Sequence, residues 1–88
     1  MTTLTFEAPI GASLNGDTWS ALEIPGSVEA FGAHRAVRVD AVIDGIRLED
    51  VAALATGEGE YRIPLGHGIR ARLGKGLGET VHAEVTPR

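Results

Sequence analysis

From Arg35 to Ile43 the sequence alternates without a break, with Val37, Val39, Ala41 and Ile43 on one side and Arg38 and Asp40 on the other. Apolar residues two apart line one face of a strand, so this stretch predicts a half-buried strand. Asp44-Gly45 follows at once, and both residue types tolerate the positive φ of a tight hairpin turn. The chain must therefore double back here, with Ile46–Leu48 and Val51–Ala55 returning as short strands.

The same grammar recurs along the chain. Leu4, Phe6, Ala8 and Ile10 alternate in a first strand, and Pro9 marks its far end as a sheet edge. Asn15-Gly16-Asp17 is a turn signal leading to a strand over Thr18–Ile24. Pro25-Gly26 stops that strand, and Ser27 is placed to cap a short helix with Val28 and Phe31 on one face and Gly32 as its end. Tyr61, Ile63 and Leu65 predict another strand, Ile69 and Leu73 a two-turn helix with Arg70 and Arg72 outward, and Val81, Ala83 and Val85 the last strand. No helix is long enough to cross over between parallel strands. The expected fold is mainly β: a small double-split barrel or pseudo-barrel of six to seven short strands, capped by two short helices.

With 88 residues there is room for one domain, 1–88, and about 60–65% of the unfolded surface can be buried, which gives a thin core. No apolar run approaches the roughly 20 residues of a membrane helix, the N-terminus lacks the pattern of a secretory signal, and cysteine is absent. A cytoplasmic protein without disulfides or thiolate metal sites is the expectation. Eight Lys and Arg against 12 Asp and Glu leave a formal charge of −4, which argues against nucleic acid as partner, because phosphate binding draws on clustered bases.

Gly74-Lys75-Gly76-Leu77-Gly78-Glu79-Thr80 looks at first like a phosphate loop. Such loops run from a strand into a helix, whereas this segment runs from a helix into a strand and its lysine precedes the second glycine. It reads as a helix stop and strand entry. His34, His67 and His82 form no close pair, and no cysteine helps them, so no zinc site is expected. No serine lies in a nucleophile elbow. The carboxylates at Asp40, Asp44, Glu49, Asp50, Glu58 and Glu60 read as a solvated rim, with a pair near Gly57–Gly59 able to meet in space. Trp19 reads first as a packing residue and second as a stacking wall for a ligand. Arg35, Arg38, Arg62, Arg70 and Arg72 are the available anion-binding set.

Phe6, Trp19 with Ile24-Pro25, Phe31-Gly32, the Val37/Val39 strand closing in Ile43-Asp44-Gly45, Gly57-Glu58-Gly59 before Tyr61, and Ile69-Arg70 through Leu73-Gly74 to Gly78-Glu79 and Val81 form an ordered set. In that order and spacing the chain resembles the bacterial domain-of-unknown-function family nineteen-oh-five over nearly its whole length. Its last third also looks like the swapped-hairpin domains of the AbrB and MazE type, which are dimeric DNA binders. Both resemblances imply a double-split barrel capped by helices. The DNA binders are about half as long and carry basic strands, and this chain is longer and acidic.

The leading expectation is a non-catalytic module for a small molecule or a protein, with no cofactor, no metal and no membrane partner, and with a homodimer compatible with the thin core. Its expected ligand-binding residues are Trp19 and Tyr61 as walls and Arg38 and Arg70 as anion contacts. The alternatives are an AbrB/MazE-like dimeric DNA-binding regulator and a small enzyme with a pocket near Trp19, Tyr61 and the Glu58/Glu60 loop.

Overall fold

The computed structural model describes residues 3–14, 17–32, 36–55 and 60–88. Along the chain run β1 (Leu4–Pro9), β2 (Ala12–Leu14), β3 (Asp17–Trp19), β4 (Ala21–Glu23), α1 (Ser27–Phe31), β5 (Val37–Ile43), β6 (Ile46–Ala53), β7 (Arg62–Pro64), α2 (His67–Leu73) and β8 (Thr80–Pro87). The fold is mainly β with two short helices, in the class the alternation predicts.

Four strands form an antiparallel sheet in the order β1-β8-β5-β6, and β2-β3 and β4-β7 form two-stranded ladders. Single contacts join these sheets at their margins. Leu54 and Arg62 exchange both backbone hydrogen bonds, tying the end of β6 to β7. Gly11 donates to the Ala21 carbonyl at 2.8 Å, tying the end of β1 to β4. The result is a pseudo-barrel whose wall is continuous through β5 and β8 and pinned at points elsewhere.

One core fills it. Val39, Ala41 and Ile43 of β5 and Val81, Ala83 and Val85 of β8 meet Ile10, Leu22, Ile24, Tyr61, Ile63 and Leu65. Period-two burial on β8 from Thr80 to Val85 carries Val81, Ala83 and Val85 into the core. Val28 and Phe31 of α1, with Ile69 and Leu73 of α2, pack against it as half-buried plugs.

Three differences from the sequence reading have local causes. The strand expected over Thr18–Ile24 is two strands, β3 and β4, that change sheet at Ser20: its hydroxyl donates to the Leu65 carbonyl and its own carbonyl accepts the Leu65 N–H. The two strands expected after Asp44-Gly45 are one, β6, because a register shift opposite Val39 to Ala41 absorbs Glu49 and Asp50. Asp50 carries the strain with φ 52°. Ser27 is not the cap of α1. Gly26 occupies that position, and the Ser27 side chain is buried.

The turn signals behave as read. Asp44 and Gly45 have φ 48° and 82°, the paired positive values of a type I′ hairpin. Gly74 ends α2 at φ 69° and donates to the Arg70 and Ala71 carbonyls. The expected Asn15-Gly16 turn, His34, Arg35 and the Gly57-Glu58-Gly59 loop lie outside the described residues.

Candidate functional site

The four residues expected to bind ligand are not brought together. Tyr61 is completely buried, with its ring edge-on to Phe31 at a centroid separation of 5.2 Å, so it is a core residue. Trp19 is 54% exposed, which corrects the packing role given to it first. It sits at the end of β3 opposite Ala12, on a two-stranded ladder too narrow to cover an indole. Arg38 lies on the face of β5 turned away from the core. Its Nε meets Asp50 Oδ1 at 2.8 Å and its guanidinium also donates to the Asp50 carbonyl. Arg70 is half-buried on α2, and its Nε is enclosed without a hydrogen-bond partner.

Lys75, the lysine of the glycine-rich segment, is a strut. Its ammonium lies 2.7 Å from Asp44 Oδ2 and donates to the Thr80 carbonyl at 2.7 Å. The other Asp44 oxygen accepts the His82 N–H at 2.8 Å. One carboxylate thus ties the β5–β6 turn to β8 and to the segment after α2. Hydrogen bonding from Lys75, then from the His82 backbone, holds the Asp44 carboxyl below its usual range.

At the entry to β7, Glu60 takes the role expected of Ser27. Its Oε2 accepts the Val28 N–H at 2.8 Å, placing a carboxylate at the first turn of α1. The Ser27 hydroxyl donates to the same oxygen at 3.3 Å and accepts the Tyr61 N–H at 2.8 Å. These contacts tie α1 to the residues that lead into β7.

A concavity lies on the outer face of the four-stranded sheet. It measures about 280 Å³ and is lined by Thr3, Asp40, Ala41, Val42, Arg47, Glu84 and Thr86. The register explains the set, since Asp40 faces Thr86 and Val42 faces Glu84 across β5 and β8, while Val42 also faces Arg47 on β6. Thr3 and Thr86 hydrogen-bond through their hydroxyls at 2.8 Å. Asp40 Oδ1 accepts the Asp50 N–H at 2.9 Å and Arg88 Nη1 at 3.0 Å. Arg47 reaches Glu49 at only 3.9 Å with its side chain 73% exposed, and Glu84 has no partner among the described residues.

Two carboxylates, two hydroxyls and a loosely held guanidinium thus surround one small hollow. Of these residues the sequence reading singled out only Asp40, and as part of a rim. The others occupy polar positions of alternating strands, and only the strand register brings them together. Among the described residues no three His, Asp or Glu side chains form a group able to hold a metal ion, and no helix is long and apolar enough to cross a membrane.

No curated protein matches the chain. A family model described as "Domain of unknown function (DUF1905)" matches residues 6–85, a span that takes in both helices, β2 to β7 and most of β1 and β8. That is the family the ordered motifs of the sequence resemble, and the chain belongs to it.

Proposed function

We propose that the protein is a non-catalytic binding module whose ligand site is the hollow on the outer sheet face. The observation that carries this reading is the pairing of opposite charges there: Arg47 on β6 and Glu84 on β8 stand on either side of Val42, with Asp40 farther along β5, around about 280 Å³. That volume is at the small end for a ligand pocket and suits a compact zwitterion, with an ammonium toward Glu84 and an acidic group toward Arg47. The two threonine hydroxyls bond to one another, and among the described residues neither is hydrogen-bonded to Asp40 or Glu84 as a nucleophile and base would be. This favours binding over the enzyme reading near Trp19 and Tyr61, because burial removes Tyr61 from any open wall.

Duplex binding finds less support. Arg38, Arg62, Arg88 and Lys75 each pair with an acid, so few bases remain to neutralise phosphates.

The test is a ¹⁵N-resolved titration of the protein with glycine, β-alanine, ethylamine and acetate. The zwitterions should shift the amides of Val42, Glu84 and Thr86 more than either single-charge probe does, and Glu84→Gln should remove the preference. Equal small shifts across all four compounds would end the proposal.

A further inference from the structure

The backbone polarity of β1 points to a second binding feature, at the strand edge, which shares only Glu84 with the hollow. Ile10 donates to Glu79 on the β8 side, and its neighbour Gly11 donates to Ala21 on the β4 side. Burial alternates without interruption from Leu4 to Ile10, so the strand keeps its parity. Leu4, Phe6 and Ala8 therefore spend their backbone groups on β8, and the N–H and C=O groups of Thr5 and Glu7 face the opposite way. Beyond Gly11 the seam between β1 and β4 opens, and Pro9 stands where the next amide would have been. Thr5 and Glu7 have no strand beside them among the described residues.

The side chains bear the same mark. Val81, Ala83 and Val85 on β8 are at most 1% exposed, whereas their cross-strand partners Ala8, Phe6 and Leu4 are only partly buried on the inner face. The outer margin of the sheet, β6, is protected by the Asp50 bulge and by Arg47 and Glu49, which are usual devices against strand addition. The β1 edge has Pro9 at its far end and a single charge, Glu7.

We infer that β1 takes an added antiparallel strand from a partner whose residues alternate apolar and basic. Apolar residues of that strand would cover Leu4, Phe6 and Ala8, and its basic residues would fall opposite Thr5 and Glu7 on the outer face. Charge selects this occupant. Glu7 and Glu84 have no ion-pair partner among the described residues, and the outward positions of β1 and β8 carry no Lys or Arg. A second copy paired about Phe6 would set each Glu7 opposite Thr5 of its mate and place four unpaired glutamates along one join. Like charge along a shared edge opposes that arrangement.

The probe is the acetylated and amidated peptide Val-Lys-Val-Lys-Val-Lys-Val, titrated into the ¹⁵N-labelled protein. Shifts should centre on Thr5 and Glu7. Replacing the peptide's lysines by glutamate, or Glu7→Lys in the protein, should weaken binding roughly tenfold or more. Backbone geometry gives the sharper arm. Residues opposite Thr5 and Glu7 aim their amides at β1, so N-methylation of the lysines should abolish binding and N-methylation of the valines should preserve it. The inference fails if the two methylated peptides behave alike or in reverse, or if Glu7→Lys binds as well as the parent. It also fails if sedimentation finds the chain self-associated with β1 at the contact. Because this readout lies on β1, its failure leaves the zwitterion test unaffected, and the reverse also holds.

Discussion

Asp44 ties the β5–β6 turn both to β8 and to the segment after α2. It occupies the first position of a left-handed turn, where its short polar side chain tolerates φ 48°, and both of its carboxylate oxygens are engaged. The folded form holds this carboxyl below the ordinary value of 3.8 that the unfolded chain keeps. A depressed folded value means that the contribution to stability is present above the unfolded value and is lost as pH falls through the folded one. Asp50, held below its ordinary value chiefly by the hydrogen bond from Arg38, acts in the same direction. Urea midpoints measured from about pH 6 down to about pH 2 should therefore fall less steeply for Asp44→Asn than for the parent chain, the two curves converging in acid. Lys75→Met should flatten the curve in the same pH range, because it removes the main cause of the depressed value. Parallel curves for all three proteins would show that Asp44 is not the titrating link. The other residue-scale outcome concerns the aromatics. Composition identifies one tryptophan and one tyrosine but not which of them the wall encloses, and here the tyrosine is sealed in and the tryptophan lies open.

At the scale of elements, the clearest case is the end of α2. Gly74 adopts φ 69°, and a Cβ added there would meet nothing within 4 Å, so a substitution tests backbone conformation without a clash. Gly74→Ala should cost about 1 kcal/mol, read as a lowered denaturation midpoint at unchanged slope. A neutral result would mean that the helix ends some other way. This stop was legible in the sequence because a glycine after Ile69 and Leu73 has one common use at a helix end. The β5 strand, the Asp44-Gly45 turn and β8 were legible for a similar reason: unbroken alternation on one face and a dipeptide suited to positive φ. What alternation could not reveal is where it is interrupted for tertiary reasons. Ala21 and Leu22 are both buried, so β4 has no period of two, and the break at Ser20 comes from its bonds to Leu65, 45 residues away. The Asp50 bulge likewise resets the parity of β6, making one strand look like two. Glu60 capping α1 across 32 residues was illegible because capping signals are local patterns and this one is not. The hollow on the sheet was hidden for the same reason, as Asp40, Arg47, Glu84 and Thr86 meet only through the register of β5, β6 and β8.

Across the whole molecule, stability should follow how the wall is closed. β5 and β8 have hydrogen-bonded neighbours on both sides and place six side chains, each at most 1% exposed, in the core. The β2-β3 ladder pairs only with itself, and the β6-β7 and β1-β4 seams each rest on one bridging contact. Local opening follows such differences in packing and pairing, so native-state hydrogen exchange should resolve three tiers. Amides of Ala41, Ile43, Ala83 and Val85 should exchange only through global unfolding, which for a chain of this size costs about 4–13 kcal/mol. Leu54 and Arg62, which close a seam, should open at intermediate cost, and Thr18 and Trp19 should exchange fastest of these. Within β1 the protection should alternate, with Phe6 and Ala8 slow and Thr5 and Glu7 close to the rate of an unprotected amide. That alternation separates a pseudo-barrel split at β1 from a fully closed one, in which all four amides would be protected. Uniform protection along β1 would also remove the free edge on which strand addition depends, so one exchange experiment on the isolated chain tests both the closure of the barrel and the route by which a partner could join it.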